Sequence, residues 1–413
     1  MKKFITHWTF AFVTLVTLTF IGLQEPFVKE ILKLKSFDML IQQEETSLST
    51  DIGIVTIDEK SIEKYGQWPW KRDVIAKIIS DLRRDGAGII MIPILFSEED
   101  RLGGDDILAQ TLIDNGVVIA QVGTSQIDKN SVPRGVARIG NPFPYLFEWE
   151  GMLGPIPMLG QNANGVGVIN TAPEIDGVVR RIPLIMKIVR TLGISEGELS
   201  TTVEEKTYPT MAVEVIRVAT GAPSYQVKSG EGGIQAIRVP GFPIINTDPN
   251  ARIWLHWNKQ FETISASEDD FSKFNARTVI IGMTAEGLGG IIATPVGEQY
   301  DYVLSASTLQ TMIDGKQINR YDVSSFLELV LSFVLGIVVI LIARFTPYWF
   351  VGLSLLSLYG ISVYGSYYLF NQHLILSDVS WIIIVITIVG MHSIFNRFIL
   401  EFRLKQQIRK QFE

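Results

Sequence analysis

The sequence predicts an α/β extracytoplasmic domain with a mixed, largely parallel sheet, together with four transmembrane α-helices. Two observations lead to this class. Apolar runs lie near both ends of the 413-residue chain, and no comparable run lies between residues 23 and 326. In the opening third of that intervening region, β-branched runs alternate with amphipathic segments, and such alternation predicts right-handed crossovers and a largely parallel sheet.

Composition narrows the classes of function. The chain has 36 Lys and Arg against 43 Asp and Glu, a net charge of −7, which argues against a strongly basic nucleic-acid binder. It has no cysteine, which excludes disulfide scaffolds, thiolate nucleophiles, zinc ribbons and iron–sulfur ligation. Its 4 histidines leave little for a histidine-rich metal site. We therefore expect no catalytic residue, no metal and no cofactor in this segment.

Apolar runs give the candidate membrane spans. They are residues 8–23, 326–343, 349–370 and 381–400. The last three are each near the ~20 residues needed to cross the hydrocarbon layer. The first run also fits a signal peptide, but its apolar stretch is long and no small-x-small cleavage site precedes Glu25. An uncleaved anchor is the preferred interpretation.

Basic residues beside the spans predict the orientation, because Lys and Arg remain on the cytoplasmic side. Four crossings place one set of basic residues inside: Lys2, Lys3, Arg344, Arg397, Arg403, Lys405, Arg409 and Lys410. The loop 371–378 has neither Lys nor Arg, as expected of an outer loop. We expect a multi-pass protein of the cell membrane with both termini cytoplasmic and a large domain that is periplasmic or extracellular.

The region between the first two spans contains the elements of the predicted domain. Apolar spacing predicts a membrane-proximal helix over residues 26–40. The predicted strands are 52–57, 89–96, 117–122, 166–170, 181–189, short pieces within 234–257, and 278–282. The predicted helices are 73–84, 105–114, 209–219 and 302–313. Segments 127–161 and 195–208 are predicted linkers or insertions.

These elements divide the chain into four parts. They are a first transmembrane helix with a short cytoplasmic start (1–24), an extracytoplasmic domain (25–322), three transmembrane helices (323–400) and a cytoplasmic juxtamembrane helix (401–413).

Two groups of residues are candidates for a ligand site or a structural network. Trp68 and Trp70 flank Pro69, and with Arg72 they suit an anionic or planar ligand. The alternative is a packed strand-to-helix corner in which Arg72 pairs with Asp58.

The second group is Asp176 and Arg180. The Asp176–Gly177 pair explains a turn without any ligand, and Arg180 is a candidate partner in an internal ion pair.

Other motifs have simpler explanations. An acidic cluster (Glu98, Glu99, Asp100, Asp105 and Asp106) permits a calcium hypothesis, but no EF-hand spacing is present and helix-start carboxylates explain it as well. His256 lies on a predicted strand, and without a G-x-S-x-G elbow it gives little support to a hydrolase.

Several runs of the sequence resemble the second type of CHASE domain, the cyclases/histidine kinases associated sensory extracellular domain. They are 36–38 (SFD), 54–58 (IVTID), 65–72 (YGQWPWKR), 86–87 (GA), 94–96 (ILF), 165–170 (GVGVIN), 176–183 (DGVVRRIP), 280–282 (IIG), 284–289 (TAEGLG) and 293–295 (ATP). The resemblance covers nearly the whole outer region and the three-span tail. Pro93 and Gly290 depart from the family, which often has Asp there, so no shared carboxylate site is carried over.

The tail after the last span has an apolar stripe at four-residue steps, formed by Leu400, Leu404, Ile408 and Phe412. It fits a basic helix lying on anionic lipid, or a signalling helix that pairs across a dimer. Residues 408–413 are similar to the segment that, in the family, enters a class III adenylate cyclase domain, and that catalytic domain is not in this sequence.

The resemblance implies the input module of a membrane-bound class III adenylate cyclase. It implies a homodimer in the lipid bilayer, an unknown extracytoplasmic ligand or protein partner, and a cyclase output domain after Glu413. ATP and metals would belong to that output domain. A membrane-anchored extracytoplasmic hydrolase and a purely structural dimerisation module are the alternatives.

Overall fold

The computed structural model describes residues 8–125, 128–192 and 202–412. Its helices are α1 (Trp8–Leu23), α2 (Phe27–Ile41), α3 (Glu59–Tyr65), α4 (Arg72–Arg84), α5 (Asp105–Leu112), α6 (Pro157–Asn162), α7 (Met211–Thr220), α8 (Asp301–Asp314), α9 (Ser324–Phe345), α10 (Tyr348–His373) and α11 (Ser380–Phe412). Lys2 and Lys3, used above for orientation, lie outside the described residues.

The strands are shorter and more numerous than the helices. They are β1 (Ser47–Ile57), β2 (Ile90–Ile92), β3 (Val117–Thr124), β4 (Val136–Ile139), β5 (Phe147–Trp149), β6 (Gly151–Leu153), β7 (Gly165–Val168), β8 (Arg181–Pro183), β9 (Ile185–Leu192), β10 (Thr202–Pro209), β11 (Tyr225–Gly230), β12 (Gly233–Arg238), β13 (Ile245–Asn246), β14 (Arg252–Trp254), β15 (Lys259–Ser265), β16 (Thr278–Met283), β17 (Ile291–Thr294) and β18 (Gly297–Tyr300).

The chain divides into two compact units. One unit is Glu44–Gln317, which contains the strands and α3–α8. The other combines Met1–Gln43 with Ile318–Glu413 and contains α1, α2 and α9–α11.

The main sheet of the first unit is built from parallel strands in the order β15–β1–β16–β2–β3–β7, and β6 pairs antiparallel with the end of β3. Smaller sheets add antiparallel pairs such as β9 with β10 and β11 with β12. The mixed α/β class with a partly parallel sheet is therefore confirmed.

The core of this unit forms where α4 covers the sheet. Ile75, Ile78, Ile79 and Leu82 recur at helical spacing and are buried. Burying each such side chain stabilises the fold by roughly 1.5–3 kcal/mol. They pack in one cluster with strand residues such as Val55, Ile57, Ile90, Ile92, Val117, Ile119, Val279 and Ile281. Asp73 in the first turn of α4 and Arg83 and Arg84 in its last turn complement the helix dipole.

The strand predicted over residues 89–96 is shorter in the structure. β2 ends at Ile92 because Pro93 has no N–H to continue the ladder. Residues after Pro93 are therefore released from the sheet, while Ile94 and Phe96 stay buried in the core.

The predicted linker regions also contain regular structure. β4, β5, β6 and α6 lie between residues 136 and 162, and β10 pairs with β9 in a register that brings Pro209 opposite Ile185. The linker prediction for residues 202–208 is therefore wrong, since β10 contains four consecutive polar residues (204–207) and lacks the alternation that would have indicated a strand. Residues 193–201 lie outside the described ranges.

The second unit is helical, and its core joins α1, α9 and α11 through Leu15, Val339, Ile340, Val385 and Val389, among others. In the described part of the chain, three helices are long and apolar enough to cross a membrane: Ser324–Phe345, Tyr348–His373 and Ser380–Gln411. The helices Thr9–Leu23 and Phe27–Ile41 pass that test only together, and they are bent by 78°. The structure thus gives three candidate spans, or up to four, and the predicted count of four is not established.

Candidate functional site

A cavity of about 670 Å³ opens in the first unit, at the carboxyl ends of three adjacent strands of the main sheet. The chain leaves β1 towards the loop before α4, leaves β2 at Pro93, and ends β16 at Met283. The cavity is lined by residues of these three segments and of α4: Trp68, Pro69, Trp70, Arg72, Ile75, Ile94, Leu95, Phe96, Ser97, Glu98, Glu99, Asp100, Arg101, Leu102 and Met283. Open α/β sheets place their ligands in such crevices beyond the carboxyl ends of the strands.

The two tryptophans differ in their surroundings. Trp70 is 5% exposed, and its indole N–H donates to the Gly66 carbonyl at 2.7 Å. Its ring meets those of Tyr65 and Trp68 edge-on, with centroids 5.1 and 5.3 Å away. Trp70 is therefore a satisfied core residue, whereas Trp68 is half-buried, and both line the cavity.

Arg72 is held from several sides. Its Nη2 donates to the Glu98 carbonyl at 2.9 Å, and its Nε lies 3.3 Å from Asp105 Oδ1. The guanidinium also lies 4.4 Å from the centre of the Phe96 ring. Burial lowers the pKa of Arg72, and the carboxylates of Asp105 and Asp100 oppose that shift. The alternative in which Arg72 pairs with Asp58 is wrong in its partner, because α4 turns the guanidinium towards Asp105 and the loop after β2.

Asp58 has a local role instead. It is the N-cap of α3, accepts the Ser61 N–H at 3.0 Å and accepts the Ser265 hydroxyl at 2.7 Å. It does not line the cavity. Its contacts connect the end of β1 to the end of β15.

The loop after β2 reaches α4 closely. The Arg72 N–H donates to Asp100 Oδ2 at 2.8 Å, and the Asp100 N–H donates to Asp105 Oδ2 at 2.8 Å. Gly104 has φ +103°, and a Cβ there would lie 2.9 Å from the Asp73 nitrogen. Only glycine permits this approach without strain.

Charge on the lining argues against a free anion. Glu98, Glu99 and Asp100 outnumber Arg72 and Arg101, and Arg72 is already neutralised by Asp105. The calcium hypothesis has no support either, because the described residues contain no group of three or more His, Cys, Asp or Glu able to hold a metal ion.

Asp176 and Arg180 form a separate network that does not line the cavity. Arg180 is fully buried, and its Nη1 and Nη2 each donate to a different Asp176 oxygen at 2.8 Å. The neighbouring Arg181 pairs in the same way with Glu174, at 2.6 and 2.8 Å. Burial acts to raise the pKa of Glu174, but the hydrogen bond and charge of Arg181 outweigh it and hold that pKa below its ordinary value.

His256 has a structural setting. Its Nδ1 lies 2.7 Å from Glu44 Oε1, and its Nε2 lies 2.7 Å from the Lys316 carbonyl oxygen. Both ring nitrogens are therefore engaged within the domain. No histidine lines the cavity in the described part of the chain.

Sequence reasoning missed the role of two residues. Asp105 does begin α5, as its helix-start position suggested, but it is also the ion-pair partner of Arg72. Phe96 supplies the ring beneath the guanidinium. The available signal was topological and coarse: parallel strands end at the same edge of a sheet, so the loop after β2 and the loop before α4 were both expected at that edge.

The predicted signalling stripe lies on α11, which runs without a break from Ser380 to Phe412. Leu400, Leu404 and Ile408 are 45%, 57% and 46% exposed, while the side chain of Phe412 lies outside the described part of the structure. Phe398 and Phe402 are also exposed on this helix, so apolar exposure is not confined to the stripe.

Comparison with known families identifies a matching family. The family model of the CHASE2 domain matches residues 11–343, which includes the whole cavity-bearing unit and α9 up to Ala343. Neither a curated protein nor a solved structure matches the chain.

Proposed function

We propose, from the premise that this chain belongs to the CHASE2 domain family, that it is the extracytoplasmic sensor and transmembrane region of a signalling receptor. Membership together with the apolar helices supports a receptor input module in the membrane. We also propose the chemical class of the signal, the number of membrane crossings and the output domain, as argued below.

The cavity beside Trp68 and Arg72 is the observation that carries the sensory role. It is open, about half of its lining residues are aromatic or charged, and it lies where parallel sheets bind ligands. The excess of carboxylates on its lining favours a planar neutral or cationic group, since such a group can stack on an indole.

We propose that the chain crosses the membrane four times, with α1 as the first span. The support is that Ala11 and Leu15 of α1 are buried among residues of α9 and α11. Four crossings place the Glu44–Gln317 unit outside the cell and both termini in the cytoplasm, in agreement with the basic residues near the ends of the spans.

We further propose a homodimer whose output is a class III adenylate cyclase domain following Glu413. The support is the similarity of residues 408–413 to the segment that enters such a domain, and the uninterrupted α11 that leads to it. Signalling then requires two arrangements of the dimer and a ligand that prefers one of them. A tenfold shift in the equilibrium needs only about 1.4 kcal/mol of differential binding.

A fusion experiment tests the proposal. A class III catalytic domain is attached after Glu413, the fusion is expressed in cells without their own cyclase, and cAMP is measured. Trp68→Ala and Arg72→Gln, which alter the cavity, are expected to change cAMP output. Arg84→Gln is the matched control, because Arg84 lies on the same helix, is exposed and does not line the cavity.

Membrane abundance of each variant is measured in parallel, so that a loss of protein is not mistaken for a loss of signalling. If both cavity variants, and a deletion of residues 44–317, leave cAMP output unchanged, the sensory role is contradicted.

A further inference from the structure

A second cavity, of about 150 Å³, lies within the helical unit. It is bounded by α1, α9 and α11, and its lining comprises Ala11, Ile340, Ala343, Arg344, Ser393, Asn396, Arg397 and Leu400. Two of these residues are arginines and none is acidic. Because one water occupies about 30 Å³ of liquid, this volume corresponds to about five waters, enough for a phosphate group.

Arg344 contributes an uncompensated positive charge. It lies in the last turn of α9 and is exposed. Across the described residues it has neither a hydrogen-bond partner nor an ion-pair partner. Its guanidinium is therefore available to a ligand.

Arg397 faces the same cavity from α11 and is fixed in place. Its Nη1 donates to the carbonyls of Ala343, at 3.2 Å, and of Thr346. Its Nε lies 3.2 Å from the half-exposed Glu401, and its guanidinium lies 5.0 Å from the centre of the Tyr348 ring. These contacts hold the second guanidinium beside the end of α9.

Asn396 adds a buried donor with no partner. The residue is 5% exposed, and its amide nitrogen has no hydrogen bond within the part of the chain that the structure describes. An unsatisfied buried donor costs free energy, which an inserted acceptor oxygen would recover. The cavity therefore combines a free guanidinium, a fixed guanidinium and an unpaired amide.

We propose that this cavity binds the phosphate group of an anionic phospholipid. Guanidinium groups bind phosphate oxygens through charge-assisted hydrogen bonds, and basic pockets between transmembrane helices hold anionic headgroups. A lipid phosphate is favoured over a soluble one because the cavity lies between candidate membrane spans, beside the end of α9.

Binding would act on the helix that leaves the membrane. Asn396, Arg397 and Leu400 belong to α11, and Ile340, Ala343 and Arg344 belong to α9. A phosphate held between them would fix the start of the segment that continues to Phe412. This inference does not depend on the ligand of the cavity beside Trp68 and Arg72 or on the identity of an output domain.

The test uses the full chain purified in a neutral detergent. Phosphatidylglycerol, phosphatidylcholine or inorganic phosphate is added, retained lipid is counted by native mass spectrometry, and the Tm is recorded. Phosphatidylglycerol is expected to be retained and to raise the Tm. Arg344→Gln and Asn396→Leu should each weaken its binding by about tenfold, the loss expected for one charge-assisted or buried hydrogen bond.

Arg403→Gln is the matched control, because Arg403 lies on α11, is exposed and does not line the cavity. It should retain phosphatidylglycerol within about twofold of the original chain, since a lone exposed charge contributes little. Equal retention by the Arg344, Asn396 and Arg403 variants would overturn the proposal. Equal stabilisation by phosphatidylcholine, or a full Arg344-dependent shift with inorganic phosphate alone, would overturn the assignment to anionic lipid.

Discussion

Arg180 and Arg72 are both paired with carboxylates in the same domain, but their surroundings differ. Arg180 is fully buried and makes two 2.8 Å hydrogen bonds to Asp176. Arg72 lines a 670 Å³ cavity, lies 3.3 Å from Asp105 and shares its remaining contacts with a carbonyl and a ring. We call the buried Asp176–Arg180 pair closed, because it can only support the fold. We call the Asp105–Arg72 pair open, because it borders a cavity and Arg72 can exchange its protein partner for a ligand.

The comparison separates the two groups of candidate residues. The Asp176–Arg180 pair is an internal support between the turn at Gly177 and strand β8, and it offers no surface to a ligand. The segment that contains Trp68 and Arg72 combines buried anchors with groups facing a cavity. Stability should therefore respond most strongly at Arg180, and signalling should respond most strongly at the cavity.

The largest expected effect is that of Arg180→Met. Removing the arginine leaves the Asp176 carboxylate, which is only 10% exposed, without its guanidinium partner, and this should cost about 3–5 kcal/mol of unfolding free energy. Denaturant unfolding of the purified full chain measures it. The double variant Arg180→Met with Asp176→Leu should recover much of the loss, because no charge is then left unpaired. A single variant as stable as the original chain would show that the pair is not a support.

Gly104→Ala should have the next largest effect. The new Cβ would meet the Asp73 nitrogen at 2.9 Å while φ stays at +103°, and such strain costs about 1–3 kcal/mol. Gly103→Ala is the matched control, because Gly103 has φ +80° but no atom lies within 4 Å of the position that a Cβ would take there. Thermal unfolding should therefore place Gly104→Ala below Gly103→Ala, and the reverse order would contradict the close approach of the loop to α4.

Arg72→Gln should be milder for stability. It removes a partly buried ion pair and the contact with Phe96, for which we expect a loss of about 1–2 kcal/mol. Arg72→Lys retains the charge but not the planar fork, so it should recover stability only in part. A loss as large as that of Arg180→Met would erase the distinction between the open and the closed pair.

The smallest expected effect is the loss of folding stability at low pH that is due to Glu174. The native pKa of Glu174 lies below its ordinary value, because Arg181 outweighs the effect of burial. The unfolded chain therefore binds this proton more readily, so the stabilisation is present above the ordinary pKa of about 4.5 and is lost as the pH falls through the native value. Stability measured from about pH 6 to about pH 3 should decline, and Glu174→Gln should make that decline shallower. An identical decline in the original chain and in Glu174→Gln would show that Glu174 does not contribute to the pH dependence of stability.

The backbone pattern was the more predictable part of the fold. The helical spacing of Ile75, Ile78, Ile79 and Leu82 predicted α4 to within one residue of its start, and the apolar runs predicted the three long spans. β10 was missed because its four consecutive polar residues (204–207) are as typical of a linker as of a strand, and nothing in the local pattern identifies β9 as its pairing partner. The predicted largely parallel arrangement holds for the main sheet, whereas the smaller sheets are mostly antiparallel.

The contacts of the candidate site were less predictable. Trp68, Trp70 and Arg72 could be grouped because they are neighbours in the sequence, but Asp105 could not be identified as the partner of Arg72. That pairing depends on β2 ending at Pro93 and on the left-handed backbone at Gly104, both of which set where the loop passes. Local periodicity contains no information about such an approach.

Sidedness is the most direct test of the receptor architecture. The chain has no cysteine, so single cysteines introduced at Glu268, exposed in the first unit, and at Gln407, exposed on α11, can be labelled without background. A membrane-impermeant maleimide applied to intact cells is expected to label Glu268→Cys, and to label Gln407→Cys only after the membrane is permeabilised. Labelling of both positions from the same side would contradict a sensor domain outside the cell that communicates with an inner helix.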